Sequence, residues 1–280
     1  MSFTPVLDRP ESEAMMRVVS AARTDVGLVR AVNEDSILVG PPLWAVADGM
    51  GGHAAGDVAS RIVVETLAGL ASGGVIRPGD ILDALGRAND RMLAHERWHP
   101  ATWGMGSTVT GLAQVSVEGA PGWAVFNVGD SRVYRCEGQT MTRVTVDHSE
   151  VEELVRAGEI TREEARVCPG RNAITRSMGT DPAPQADLWV FPQTAGERFL
   201  LCSDGVTTEL SDAQIAGVML GATDPSEAAG RLLELTLAAG GRDNTSVIIV
   251  DAVGDEATGV AEWAGEGRTG EEGERGRRPD

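Results

Sequence analysis

The stretch Ser107-Thr-Val-Thr-Gly-Leu-Ala-Gln-Val-Ser-Val117 has a period of two, with Val109, Gly111, Ala113, Val115 and Val117 on one face of a strand. Glu118–Gly122 reads as a turn, and Trp123-Ala-Val-Phe-Asn-Val128 returns as a second strand. Glu137-Gly138 likewise reverses Val133–Cys136 into Gln139–Val144. Leu43–Ala47, Arg198–Ser203 and Thr245–Asp251 are further apolar strand candidates. Hairpins joined to helices in pairs point to an α+β fold of packed antiparallel sheets covered by helices, not to a parallel βαβ array.

The helices carry their own signals. Ala59, Ile62, Val63, Leu67 and Leu70 share one helical face, and Ile81, Leu85, Ala88 and Met92 share another. A third helix starts at Asp224-Pro-Ser-Glu227, with a cap, a proline in the first turn and a glutamate to close the box, and stops at Gly240-Gly241. Ser149-x-x-Glu152 and Thr161-x-x-Glu164 predict two short capped helices within a polar excursion over 148–178.

The 280 residues include 42 acids against 24 basic residues, a formal charge of −18, and every basic residue is arginine. Without lysine there is no P-loop and no Schiff-base chemistry. The acid surplus argues against a nucleic-acid partner, which would require clustered cations. No apolar run is long enough for a membrane span, and the N-terminus has no signal core. Cys136, Cys168 and Cys202 are odd in number and widely spaced, which fits a reducing cytoplasm. Residues 1–15 read as a flexible segment. The tail 255–280, with eight acids and four arginines, reads as disordered. Residues 16–254 form one domain, expected to be monomeric.

The chemistry lies where acids meet strands. Leu43–Ala47 runs into Asp48-Gly49, Trp123–Val128 into Gly129-Asp130, and Phe199–Ser203 into Asp204-Gly205, while Asp243-Asn244 leads into Thr245–Val250. One Asp-Gly pair after a strand is a common turn. Four such aspartates on one sheet edge would repel each other and be costly to desolvate unless a cation neutralised them. Hard oxygen donors without His or Cys select Mg²⁺ or Mn²⁺ over zinc. Asp57, Asp90 and Asp147 lack this setting and read as solvated or capping residues.

The ordered segments Arg23-Thr-Asp-Val-Gly-Leu-Val-Arg30-Ala-Val-Asn33-Glu34-Asp35, Asp48-Gly-Met-Gly-Gly-His53-x-x-Gly56, Met105-Gly-Ser-Thr108, Gly129-Asp-Ser-Arg132, Asn172-x-x-Thr-Arg176, Cys202-Ser-Asp-Gly205 and Gly241-Arg-Asp-Asn244 span roughly residues 17–252. Together they resemble the bacterial branch of the metal-dependent protein serine/threonine phosphatases (PPM, protein phosphatase type 2C). The resemblance implies an α-β-β-α sandwich with a binuclear site at one end and a small flap, here 148–178, beside it. It implies that Asp48 bridges two Mn²⁺ or Mg²⁺ ions, that Gly49 binds one through its carbonyl, that Asp204 and Asp243 complete the first ion's shell, and that Glu34 holds the second. Asp130 with Asp204 would bind a weaker third ion, and Arg30 would grip the substrate phosphate. The implied reaction is hydrolysis of phosphoserine and phosphothreonine in proteins by a metal-bridging hydroxide, without a phosphoenzyme. A cognate kinase would be the natural signalling partner. Eukaryotic relatives carry histidine after the Asp-Gly pair as candidate general acid. Met50 stands there in this chain, and the nearest histidine, His53, is either that catalytic acid or a helix-entry residue bonded to backbone.

Other phosphatase chemistries are excluded. No cysteine has arginine six positions later, and neither Asp-x-Asp nor Gly-Asp-x-His-Gly occurs. A non-enzymatic binding module would show lost ligand positions, yet Asp48, Asp130, Asp204 and Asp243 are all present. A calcium-binding protein would show a regular Asp/Gly repeat, and there is none.

Overall fold

The computed structural model describes residues 15–254 except 52–54, 166–167 and 171–172, so the expected loose N-terminal segment and acidic tail fall almost wholly outside the described residues. The strands are β1 (Arg17–Asp25), β2 (Asp35–Leu38), β3 (Leu43–Met50), β4 (Gly106–Ser107), β5 (Val109–Val117), β6 (Ala120–Val128), β7 (Arg132–Glu137), β8 (Thr140–Arg143), β9 (Asp187–Pro192), β10 (Arg198–Cys202) and β11 (Thr245–Val253). The helices are α1 (Gly56–Ala71), α2 (Pro78–Trp98), α3 (Glu150–Ala157), α4 (Arg162–Ala165), α5 (Asp204–Glu209), α6 (Asp212–Gly221) and α7 (Pro225–Ala239). One sheet runs β1-β11-β10-β7-β8. The other runs β2-β3-β5-β6-β9 with β4 paired to β3, and every pairing is antiparallel.

Three apolar layers hold the four layers of structure together. Leu43, Ala45 and Ala47 face α1 and α2 together with Val109, Ala113 and Val115. Trp44, Val46 and Leu112 face the opposite way and meet Phe199, Leu201, Ile248 and Val250 of the other sheet. The outer face of that second sheet is covered by Ile215, Val218, Ala228 and Leu232 of α6 and α7. Both faces of the central strands are therefore buried, so β3 and β11 read as continuous apolar runs. Trp123 anchors the middle layer, its ring edge-on to Trp44 and Phe199 at 6.4 and 5.2 Å between centroids.

Several boundaries differ from the sequence reading. The β5–β6 turn is only Glu118-Gly119, both at positive φ (52° and 95°), with Val117 opposite Ala120. Positive φ at both central residues matches the right-handed twist of a tight hairpin, so the second strand starts three residues early. Glu227 bonds the Thr223 backbone and hydroxyl, one residue ahead of the Asp224 cap, in place of closing a box on Asp224. In the excursion Ser149 caps α3, but the Glu152 carboxylate turns away to Arg143 and Arg162. Thr161 and Glu164 do close their box. Among the described residues no helix is long and apolar enough to cross a membrane.

Gly111 stands opposite Phe126 in the β5–β6 register, and a Cβ there would run into the Phe126 ring. The ring lies on the bare backbone because no side chain competes for the space. Gly111→Ala should therefore cost about 1–3 kcal/mol through overpacking. Chemical denaturation measures this, and an unchanged midpoint would show that the ring moves aside freely.

Candidate active site

One end of the sandwich gathers the acids from both sheets. Asp48 lies inside β3, not in a turn after it, because Gly49 and Met50 continue the strand by pairing with Ser107 and Gly106 of β4. Asp35 opens β2 directly opposite Asp48. Asp130 follows β6 after Gly129, Asp204 is the first residue of α5, and Asp243 sits just before β11.

Backbone clamps fix these positions. The Asp48 amide donates to Thr108 Oγ1 at 3.2 Å, and the Asp48 carbonyl accepts from the Thr108 amide at 2.9 Å. The Gly49 amide donates to the Glu34 carbonyl at 3.2 Å, and a Cβ on Gly49 would collide with the Gly56 carbonyl. Gly56 has no room either, since its Cβ would stand 2.8 Å from Cδ of Glu34. The glycines therefore let the Glu34 carboxylate settle against the start of α1, beside the strand that carries Asp48. Asn244 organises the loop before Glu34. Its Oδ1 accepts from the Glu34 amide at 2.9 Å, and its Nδ2 donates to the carbonyls of Val26 and Val32 at 3.0 and 2.9 Å.

Asp35 is buried and Asp48, Asp130 and Asp204 are partly buried, and burial with like charge raises the proton affinity of these four. Burial pushes Asp48 well above the carboxylate range, and Asp35, Asp204, Asp130 and Asp243 add like-charge repulsion. Burial lifts Asp130 to about 8, reinforced by Asp204 and Asp147. Asp35 rises to about 7, again through burial, against hydrogen bonds from Ser246 and Ser203. Asp204 is raised by burial and by Asp243, while contact with the Asp48 carboxyl pulls it down. Arg30 reaches Asp243 Oδ2 at 2.8 Å with half of its side chain exposed.

Of the residues expected at the site, Arg30, Glu34, Asp48, Gly49, Asp130, Asp204 and Asp243 come to this end of the fold, and His53 lies outside the described residues. Met50, in the position after the Asp-Gly pair, packs its thioether by Gly106. Among the described residues no three His, Cys, Asp or Glu side chains close into a finished ligand cage. The donor set nevertheless fits a hard divalent cation, being all oxygen, mutually repelling and without lysine. In addition, Asp35 Oδ1 is buried without a hydrogen-bond partner.

Sequence reasoning passed over Asp35, Asn244, Thr108 and His148. The first three lie in the motifs that carry the resemblance, but burial and backbone bonding do not show in a motif. His148 anchors the start of the polar excursion 148–178. Its Nδ1 accepts from the Gly129 amide at 3.1 Å, its own amide donates to the Gly129 carbonyl at 2.9 Å, and Nε2 lies 3.2 Å from Asp187. Acceptance at Nδ1 places the imidazole proton on Nε2, and burial lowers the His148 pKa in keeping with a neutral ring.

The four raised aspartates hold protons in the folded protein that the unfolded chain releases near about pH 4. The folded state therefore binds more protons up to about pH 8, and its stability falls as pH rises through that window. His148 acts in the opposite sense, but only below about pH 6.5. In chelator, Tm should drop between about pH 6.5 and about pH 8.5, and Mn²⁺ should raise Tm more at the alkaline end. A Tm in chelator that climbs over this range would contradict the electrostatic account.

The family profile described as Protein phosphatase 2C matches residues 30–232. The serine/threonine protein phosphatase PstP of Mycobacterium tuberculosis is 42% identical over 238 residues, which cover 83% of this chain and 45% of that protein. The chain thus spans about half the length of that relative. The serine/threonine phosphatase stp of Listeria innocua is 34% identical over 242 residues, covering 82% of this chain and 94% of that protein. The crystal structure of the catalytic domain of PstP in complex with two manganese ions aligns with a TM-score of 0.77 at 38% identity, over 84% of this chain and 98% of that one. A second crystal structure, of the M. tuberculosis protein PstP/Ppp, gives 0.79 at 38% identity, over 84% and 99%. From the profile match, these identities and the two-sheet sandwich, the chain belongs to the protein phosphatase 2C family.

Proposed function

We propose that this chain is a metal-dependent phosphatase that hydrolyses phosphoserine and phosphothreonine in proteins by direct attack of an activated water, with no phosphoenzyme. The observation that carries the reading is the meeting of Asp48, Asp130, Asp204 and Asp243 at one end of the sandwich, with Arg30 held beside them on Asp243. Asp48, the Gly49 carbonyl, Asp204, Asp243 and Glu34 would hold two core ions, and Asp130 with Asp204 a weaker third. When bound, Mn²⁺ or Mg²⁺ lowers the pKa of water and neutralises phosphate charge. Asp243 orients the Arg30 guanidinium, whose remaining N–H groups are free to take phosphate oxygens by charge-assisted bonds. Glu34 and Arg30 stay in register because Asn244 bonds both ends of the loop that bears them. His53 is proposed from the sequence as proton donor to the leaving alkoxide.

The substrates are phosphoproteins, among them those of a cognate serine/threonine kinase. All three cysteines are free, and Cys136 and Cys202 are buried, which supports a cytoplasmic setting.

Turnover of para-nitrophenyl phosphate and of phosphoserine proteins should require Mn²⁺ or Mg²⁺ and cease in excess chelator. Asp48→Asn, Asp204→Asn and Asp243→Asn should each lower kcat/KM by at least about 100-fold together with bound metal. Arg30→Ala should act mainly by raising KM, about 10-fold. Full activity in chelator, or wild-type rates in all three aspartate variants, would refute the proposal.

A further inference from the structure

The loop between β1 and β2 presents Gly27-Leu-Val-Arg-Ala-Val32, in which Arg30 is the only charged residue. Leu28, Val29 and Val32 are 68%, 69% and 58% exposed. Scattered exposed aliphatics are ordinary, but three within five residues, around the residue assigned to grip phosphate, make a patch that calls for an occupant.

The exposure is built in, because the loop is tied down at several points. The Gly27 amide donates to Asp25 Oδ1 at 2.8 Å, and the Leu28 amide donates to the Gly241 carbonyl at 2.7 Å. Asn244 holds the carbonyls of Val26 and Val32, and Asn33 Nδ2 donates to Thr24 Oγ1 at 2.8 Å. Gly27, at φ 78°, sits so close to the 241–243 backbone that a Cβ would stand 2.7 Å from the Gly241 carbonyl oxygen. A segment held this firmly cannot fold its aliphatic side chains inward, so the apolar surface stays in place next to Arg30. Preorganisation of that kind lowers the entropy lost on binding.

We propose that Leu28, Val29 and Val32 form an aliphatic rim that contacts the residues flanking the phosphoserine or phosphothreonine, so that favoured protein segments carry apolar side chains next to the phosphorylated one. The inference rests on the phosphatase reading above and names the substrate class for that site. Continuity with the site selects the occupant. A phosphate held by Arg30 brings its own polypeptide across positions 28–32, since neighbouring residues are only about 3.3–3.6 Å apart along an extended chain. A small phosphate ester has no flanking chain and gains nothing from the rim.

Two phosphoserine peptides that differ only in carrying leucine or glycine on both sides of the phosphoserine provide the test, in Mn²⁺. The native chain should favour the leucine peptide by about 10-fold in kcat/KM, chiefly through KM, the scale expected for aliphatic contacts in a specificity site. In a Leu28→Ser, Val29→Ser double variant the preference should fall to near unity, and Val29→Ile should retain it. Turnover of para-nitrophenyl phosphate reports separately on Arg30 and the carboxylates. Equal kcat/KM for the two peptides in the native chain would overturn the rim. So would a double variant that loses small-ester and peptide turnover alike, or a native dimer that the double variant dissociates, since the patch would then serve Arg30 or a second copy. Failure of the native chain to hydrolyse even the small ester would sink the phosphatase reading itself.

Discussion

Mutual repulsion among the carboxyls of Asp35, Asp48, Asp130, Asp204 and Asp243 is the constraint around which this end of the molecule is built. Like charges gathered in a partly desolvated place would spread if their backbones were free. They are not free. Asp48 is clamped in mid-strand by Thr108, the Asp35 carboxyl accepts from Ser203 Oγ at 2.8 Å, and Asn244, next to Asp243, accepts from the Glu34 amide. The hydrogen-bonded sheets hold the acids together, and the acids in turn raise one another's affinity for any positive charge. Protons and the guanidinium of Arg30 compete for that place, and the proposed divalent ions would compete with both.

Both ends of the polar excursion 148–178 are fastened to the frame that carries these acids. His148, at its start, exchanges hydrogen bonds with Gly129, the residue before Asp130. At its end, Met178 pairs with Ser107, and buried Asn89 of α2 accepts from the Gly179 and Thr180 amides and donates to the Thr180 carbonyl. Ser107 itself pairs with Gly49. The 148–178 segment thus begins beside Asp130 and ends beside the Asp48 strand, so both of its ends touch residues next to the clustered carboxylates. Glu152 adds a cross-link between Arg143 of the sheet and Arg162 of α4.

The central strands and the two long helices were legible because their apolar periodicity is a local property of sequence. What escaped depended on partners far along the chain. β1, β2 and β9 are sheet members of mixed exposure, and their pairing with β11, β3 and β6 supplies what their own pattern lacks. Asp48-Gly49 looked like a strand end because a Gly-rich run follows, yet β4, more than fifty residues away, extends the strand through it. α5 and α6 were hidden for a different reason. α6 is capped by a Ser211–Gln214 box and is apolar nearly all round, so it shows little amphipathic contrast. Residue types and order sufficed to single out acids and an arginine that the fold brings to one end. The ion pair between Arg30 and Asp243 was not legible, because it joins residues 213 positions apart.

The absence of lysine has a structural side as well. Arg198 meets Asp251 with two parallel bonds of 2.7 Å while also donating to the carbonyls of Met219 and Ala222. Arg132 forks onto Asp147 and reaches the Tyr134 hydroxyl, and Arg135 holds buried Glu197 while stacking on Phe191 at 4.7 Å. Each requires a planar donor with several N–H groups, a role an ammonium cannot fill. These arginines are committed to structural acids, and among the described residues the carboxyl cluster is left with Arg30 and the partial influence of Arg132. With these arginines held elsewhere, most of the charge at the acidic end is unbalanced by the described side chains, and that is the imbalance the proposed divalent ions would offset.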